Sequence, residues 1–126
     1  MIDSNVLIWW VAEPSKLTSR AYSILAEPEN EILVSEASIW ELANKIHKGK
    51  LTSVGDSIRS LLNEIEAQNM TLLPIRLSDI LRTETLAAHH RDPFDRMLVA
   101  QAMEESVPLI ASDSEIAKYE LEVIWR

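Results

Sequence analysis

Residues 31–46 read EILVSEASIWELANKI, and this stretch combines two different hydrophobic patterns. Its first part holds consecutive apolar residues at 32–34, which predict a short buried strand. From residue 35 to about residue 48, apolar side chains recur at spacings of three and four, which is the pattern of an amphipathic helix. A buried strand that runs directly into a helix is the first half of a βαβ unit, so this stretch predicts an α/β fold.

The same alternation continues on both sides of this stretch. Other short apolar runs predict strands near Ile2 and at residues 72–75, 109–110 and 121–125. Helical patterns fill the intervals, at residues 17–26, 54–68 and 78–88, and from Pro93 onward with Asp92 as the N-cap. Alternating strands and helices with crossovers of this length predict a central, mostly parallel sheet of about five strands wrapped by helices.

The composition predicts one domain. The chain has 126 residues, of which 47% are hydrophobic, and it has no low-complexity tract that would mark a linker, so we expect a single domain over residues 1–126. No apolar run approaches the roughly 20 residues of a membrane-spanning helix, and the first residues are not signal-like. We therefore expect a soluble, cytoplasmic protein with no membrane partner. The absence of cysteine excludes disulfides, thiolate metal sites and cysteine nucleophiles.

Four acidic residues stand where a predicted strand gives way to a helix, and these are Asp3, Glu41, Asp95 and Asp113. In a parallel sheet the carboxyl ends of the strands lie together at one edge, so carboxylates far apart in sequence can meet there. Carboxylate oxygens are ligands that Mg²⁺ and Mn²⁺ prefer. The pattern therefore predicts a metal site at this edge of the sheet.

Several of these acids also have a purely structural explanation. Asp3 and Asp113 lie at turns where helix N-caps are common, and an isolated aspartate at such a turn is usually a cap. Asp92 directly precedes Pro93, which favours the first helical position. We assign Asp92 to capping, and Asp95, one turn into the helix, to the metal site.

Glu41 has a competing interpretation of its own. On a helical projection it lies opposite the apolar stripe, on the same side as Lys45 and Lys48, so periodicity indicates a solvated side chain. Ser38 and Glu41 also have the spacing of a capping box. These patterns alone leave both the solvated helix surface and the metal ligand open.

The formal net charge of −8 would ordinarily argue against a nucleic-acid partner. Basic residues are nevertheless concentrated at Lys45, Lys48, Lys50, Arg91 and Arg96, and a divalent cation among the carboxylates would remove their repulsion of phosphate. His89 and His90 adjoin Arg91 without a recognisable nucleophile arrangement, so we interpret them as surface or helix-end residues.

Four motifs carry a family resemblance. They read DSNVLIWW at residues 3–10, VSEASIWE at 34–41, HRDPFDR at 90–96 and LIASD at 109–113. Together they resemble the motifs of the PIN-domain ribonucleases, specifically the VapC-type toxins of prokaryotic toxin–antitoxin pairs. The first is similar to the family's Asp-Thr-His/Asn opening, the second to its glutamate-bearing motif, and the third is the most specific. The resemblance spans nearly the whole chain.

The resemblance implies a PIN-like (Rossmann-like) three-layer α/β/α domain with one or two bound Mg²⁺ or Mn²⁺ ions. The implied catalytic and metal-binding residues are Asp3, Glu41, Asp95 and Asp113, with Asn5 and Ser112 as auxiliary residues. Candidate contacts to the RNA backbone, with a solvated surface as the alternative, are Lys45, Lys48 and Arg96. One departure is Ala111, which stands where the family usually has threonine or serine and leaves Ser112 as the neighbouring hydroxyl.

The activity implied is that of a metal-dependent endoribonuclease that hydrolyses RNA phosphodiester bonds as the toxin of a toxin–antitoxin pair. The implied partners are RNA, a small cognate antitoxin and a second copy of the chain in a homodimer. The alternative is a catalytically weak PIN-fold module that binds or regulates a protein. A haloacid-dehalogenase-type phosphatase is disfavoured, because Asn5 stands where that class needs its second aspartate.

Overall fold

Six helices and four short strands make up the fold in a computed structural model that describes residues 1–126. The helices are α1 (Ser4–Ala12), α2 (Ser19–Ala26), α3 (Glu36–His47), α4 (Ile58–Ala67), α5 (Leu77–Thr85) and α6 (Pro93–Glu105). The strands are β1 (Leu33–Ser35), β2 (Thr71–Leu73), β3 (Leu109–Ile110) and β4 (Val123–Ile124), and short 3-10 turns occupy Pro14–Lys16 and Ile116–Lys118. None of the helices is both long and apolar enough to cross a lipid bilayer.

The strands form two parallel pairs, β1 with β2 and β3 with β4. Ile2 connects the pairs, because it makes parallel bridges to Val34 on one side and to Ile110 on the other. The spatial order is therefore β2, β1, Ile2, β3, β4. The predicted parallel α/β class is confirmed, whereas the count of about five strands is not, because Ile2 contributes a single-residue bridge instead of a strand.

The two faces of the sheet carry separate hydrophobic cores. One core joins Ile2, Val34 and Ile110 to apolar side chains of α1, α2, α3 and α4. The other joins Leu109 and Ala111 to apolar side chains of α6. Successive residues of a strand point to opposite faces, which explains why neighbours in and after β3 belong to different cores. The fold thus has helices, sheet and helices in three layers, with α5 packed on α6.

The helix starts show which capping predictions hold. The Asp92 carboxylate accepts hydrogen bonds from the backbone N–H groups of Phe94 at 2.8 Å and Asp95 at 3.4 Å, so the predicted cap of α6 is confirmed. Helix α3 is capped by Ser35, the last residue of β1, whose hydroxyl accepts from the backbone N–H of Ala37 at 3.0 Å. The Ser38 and Glu41 capping box is therefore wrong, because the helix already begins before Ser38.

A buried polar network ties α6 to β1 and to the start of α5. The Ser35 hydroxyl donates to Oε1 of Gln101, and Nε2 of Gln101 donates to the Pro74 carbonyl at 3.2 Å and to Oδ2 of Asp79 at 3.4 Å. Ser35, Asp79 and Gln101 are all fully buried. Because β1 leads directly into α3, this network also sets α3 and α6 relative to each other.

Candidate metal-binding and catalytic site

All four acids predicted from the sequence line one pocket at an edge of the sheet. The cavity measures about 130 Å³ and no hydrophobic residue lines it. Its lining residues are Asp3, Ser4, Asn5, Glu41, Lys45, Asp92, Asp95 and Asp113. Lys45 is the one basic residue among them, so the pocket is strongly acidic.

Each acid reaches the pocket from a different element. Asp3 follows the Ile2 bridge, and Asp113 follows β3. Glu41 lies in the second turn of α3, and Asp95 lies in the first turn of α6. The parallel arrangement of the strands brings these positions to the same edge, as expected for open α/β sheets.

Asp3 is both a helix cap and a member of the pocket. Its Oδ1 accepts from the backbone N–H of Val6 at 2.8 Å, which caps α1 and leaves Oδ2 free of this bond. The residue is 4% exposed. Burial raises the pKa of Asp3 to about 7 and outweighs the Val6 hydrogen bond, which lowers the pKa, while the charges of Asp95, Glu41 and Asp113 add to the rise.

Glu41 is buried in the pocket wall. The Ser4 hydroxyl donates to its Oε1 at 2.6 Å, and the Lys45 ammonium lies 3.1 Å from its Oε2. The solvated position indicated by helical periodicity is therefore wrong, because α1 packs against α3 and covers this side of the helix. The hydrophobic periodicity of a single helix shows its apolar face, but it does not show which other helix covers its polar face.

Asp95 carries a second displaced pKa. Burial raises the pKa of Asp95 to about 6, and the charge of Asp92 adds to this effect while His90 opposes it. Carboxylates that are buried together favour the protonated form because their charges repel. A divalent cation relieves the same repulsion without a proton, so Asp3 and Asp95 fit a metal site by the chemistry of their surroundings.

His90 is the site residue that sequence reasoning missed. Its Nε2 lies 2.8 Å from Oδ2 of Asp113 and 3.1 Å from Oδ2 of Asp95, and the ring is mostly buried. The position beside a helix end holds, because His90 lies two residues before the N-cap of α6, whereas the interpretation as a surface residue is wrong. No periodic pattern covers the irregular segment before Asp92, so only proximity in sequence to Asp92 and Asp95 could have indicated this contact.

The backbone selects one tautomer of His90. The N–H of Asp92 donates to Nδ1 of the ring at 3.0 Å, so the proton of the neutral imidazole resides on Nε2 and points at the carboxylates. Burial lowers the pKa of His90, but the hydrogen bond to Asp113 and the nearby negative charges outweigh it and raise the pKa. Protonation of Nδ1 would break its hydrogen bond with the Asp92 N–H. The backbone therefore disfavours the charged imidazolium that the nearby carboxylates favour.

Asp113 is the most exposed of the four acids. Its Oδ1 accepts from the backbone N–H of Glu115 at 2.8 Å, which fits the turn-capping role considered from the sequence. Burial raises its pKa, but the His90 hydrogen bond and the Glu115 N–H outweigh burial and lower the pKa below the ordinary value. Side-chain donor atoms of His90, Asp95 and Asp113 all lie within 4.8 Å of one another, so the ring and the two acids form one compact cluster.

The other residues predicted from the sequence differ in whether they line the acidic pocket or the cleft beside it. Asn5 lines the pocket, and Lys45 and Lys48 line an adjoining cleft. Ser112 is exposed and does not line the pocket. Their functional roles remain predictions.

Arg96 has a structural position instead. Its guanidinium donates to the carbonyls of Ala87 and Thr83, both at 2.9 Å, and to the Tyr119 hydroxyl at 3.1 Å. These bonds hold the end of α5 against α6. These bonds occupy both terminal nitrogens of the guanidinium, and the role of Arg96 in RNA contact remains a prediction.

Comparisons with known proteins identify the family to which this fold and pocket belong. The PIN domain family model matches residues 1–121. The chain is 28% identical over 120 residues to a protein named Ribonuclease VapC22 from Mycobacterium tuberculosis (strain ATCC 25618 / H37Rv), covering 94% of this chain and 90% of that one.

The fold is also similar to a solved structure, that of VapBC2 from Rickettsia felis bound to a DNA fragment from their promoter. The TM-score is 0.75 at 15% identity, and the match covers 100% of this chain and 98% of that chain. This likeness concerns the fold, and it confirms the Rossmann-like α/β architecture expected from the sequence. With the family model spanning nearly the whole chain and the motif acids gathered in one pocket, the chain belongs to the PIN domain family.

Proposed function

We propose that this protein is a metal-dependent endoribonuclease and the toxin of a toxin–antitoxin pair. The observation that carries the proposal is the convergence of Asp3, Glu41, Asp95 and Asp113 in one pocket, although they come from four separate elements. Burial raises the pKa of Asp3 to about 7 and of Asp95 to about 6, and the negative charges of neighbouring acids add to both shifts. The similarity to Ribonuclease VapC22 supports the same function.

In this proposal each acid of the pocket has a defined role. Asp3, Asp95 and Asp113 would hold one or two Mg²⁺ or Mn²⁺ ions, whose oxygen ligands they match. Glu41 would complete the acidic wall, oriented by the Ser4 hydroxyl and Lys45. A bound divalent cation supplies water activation and neutralises charge at the phosphate.

Basic residues beside the pocket support RNA as the substrate. Lys45, Lys48 and Lys50 line a cleft next to the carboxylates, and Lys45 lines both cavities. Phosphate binding draws affinity from lysine and from counterion release. This local cluster offers such contacts on a protein whose formal net charge is −8.

The proposal includes a small cognate antitoxin, a homodimer and a cytoplasmic location. The similarity in fold to the VapBC2 structure supports an antitoxin partner. Helix α5 exposes Leu77, Ile80 and Leu81 to 71%, 49% and 56%, and such apolar area is typical of a surface between protein subunits. We include the homodimer on this ground.

The test is cleavage of total prokaryotic RNA by purified protein with Mg²⁺ or Mn²⁺. Discrete fragments are expected with either metal, and EDTA should abolish them. Asp95→Asn should also abolish cleavage, because it removes one charge from the pocket while keeping the shape of the side chain. Asp56→Asn is the matched control, because Asp56 is exposed and lies outside the pocket, and it should cleave like the wild type.

One observation favours the second candidate, a catalytically weak binding or regulatory module. Ala111 provides no hydroxyl, and the exposed Ser112 does not line the pocket and so does not replace it. Folded protein that binds Mn²⁺ but leaves RNA intact would overturn the nuclease and favour this module. Equal cleavage by Asp95→Asn and the wild type would contradict the assigned site.

A further inference from the structure

An exposed aromatic pair lies beside the acidic pocket. Trp40 is 62% exposed, whereas the other three tryptophans are half-buried. Its ring meets the ring of Phe94 edge to face, with centroids 5.2 Å apart and planes at 75°. Trp40 directly precedes Glu41 on α3, and Phe94 directly precedes Asp95 on α6. The pair is therefore built from the sequence neighbours of two acids that line the pocket.

The pair also adjoins the basic cleft. Phe94 lines this cleft together with Lys48 and Lys50. The cleft shares Glu41, Lys45 and Asp92 with the acidic pocket, so the two cavities adjoin, and we refer to them together as the groove. Phosphates bound by the lysines of the cleft would therefore lie close to the Phe94 ring and to the carboxylates.

Packing within the domain does not account for the exposure of Trp40. A large aromatic side chain is usually well buried, and an exposed one beside a functional site commonly serves a binding partner. Lysines along the same groove select a polyanion as that partner, and aromatic rings stack on the flat faces of unpaired bases. Single-stranded RNA satisfies both requirements.

We propose that Trp40 and Phe94 form a stacking platform for an unpaired base of the RNA, next to the phosphate that is cleaved. The inference rests on the proposed function and adds to it two residues that contact the substrate beside the carboxylates. Bases of a duplex are stacked within the helix and are not available to the platform. The platform therefore engages unpaired bases, while the lysines contact the backbone.

The test compares the affinity of the protein for short, fluorescently labelled single-stranded RNA with its affinity for two reference strands. One reference is the same strand annealed to its complement, and the other is a strand with abasic sites. Anisotropy is measured with Ca²⁺ in place of Mg²⁺, and a gel confirms that the RNA stays intact. Trp40→Ala should weaken binding of the single strand about five- to a hundredfold, the range expected for one stacked base. Affinity for the duplex and the abasic strand should not change.

Two variants serve as controls. Trp40→Phe keeps an aromatic face and should retain most of the affinity for the single strand. Tyr22→Ala removes another exposed aromatic, which pairs edge to face with Trp10 at 5.3 Å away from the groove, and should bind like the wild type. Mn²⁺ affinity measured by calorimetry should be the same in Trp40→Ala and the wild type.

Three outcomes would overturn the platform. If Trp40→Ala binds single-stranded RNA as tightly as the wild type, Trp40 and Phe94 do not contact the RNA, and their exposed surface is left for a protein partner. An equal loss on the single, duplex and abasic strands would mean that base stacking is not involved. A loss of Mn²⁺ affinity would mean that Trp40 acts through its neighbour Glu41. Wild-type protein that binds single strands through Trp40 without cleaving them would instead overturn the nuclease and leave the platform standing.

Discussion

At the scale of single residues, His90 organises the carboxylates of the pocket. Its Nδ1 accepts from the Asp92 backbone and its Nε2 faces Asp113 and Asp95, so the ring holds two acids from different elements at a set separation. A protonated Nε2 cannot act as a metal ligand. His90 is therefore a positioning residue, comparable to the outer partners that orient metal-binding side chains elsewhere.

We expect His90→Ala to weaken Mn²⁺ binding about ten- to a hundredfold, because Asp95 and Asp113 lose the donor that orients them. His90→Gln places an amide donor near the same point and should recover part of the affinity. Titration calorimetry measures both variants, with His89→Ala as the control, since His89 is exposed and meets the Tyr119 ring edge to face. Unchanged or tighter binding by His90→Ala would mean that the ring competes with the metal. Nitrogen hyperfine coupling in the electron paramagnetic resonance spectrum of the Mn²⁺-bound wild type, absent in His90→Ala, would show instead that His90 is a metal ligand.

At the scale of elements, the Ser35, Gln101 and Asp79 network determines how α6 sits against β1. Gln101→Ala should lower the free energy of unfolding by about 2–3 kcal/mol, because it leaves buried polar groups without partners. Urea denaturation measures the change. The control is Gln68→Ala, an exposed glutamine at the end of α4, which should alter stability by less than about 0.5 kcal/mol. Similar values for the two variants would show that the network contributes little.

At the scale of the whole molecule, the acidic pocket makes stability depend on pH and metal. The pKa of Asp3 is about 7 in the folded protein, above its ordinary value of 3.8, so the folded state binds more protons between these values. This contribution to stability is fully present below about pH 3.8 and is lost as pH rises through about 7. Metal binding has the opposite pH dependence, because the carboxylates must first release their protons.

We expect the melting temperature of the metal-free protein to fall as pH rises from about 4 to 7, and added Mn²⁺ to restore it most strongly near pH 7. Calorimetric melts with and without EDTA measure both effects. Asp3→Asn is neutral at every pH and should reduce the slope to the part that Asp95 contributes, whereas the exposed Asp56→Asn should leave the slope as in the wild type. If the melting temperature of metal-free Asp3→Asn depends on pH as strongly as that of the wild type, other groups cause the pH dependence.

The sequence predicted several features that local interactions determine. The stripe of α3, the Asp92 cap and Pro93 start of α6, and the parallel α/β class are confirmed, because periodicity and capping depend on residues within a few positions of one another. Boundaries were less accurate, since α4 begins at Ile58 instead of residue 54, after the turn at Gly55 with φ of 100°. The motifs also identified the acids that meet in the pocket.

Only the tertiary structure decided the surroundings of those acids. Glu41 is buried because α1 covers α3, Arg96 turns inward to the end of α5, and His90 joins Asp95 to Asp113. Each of these contacts links segments that are independent in sequence, or crosses an irregular segment with no periodic pattern. Sequence by itself determined which residues carry charge and where the helices run, whereas burial, the pKa values and the partners of each charge arose from packing between elements.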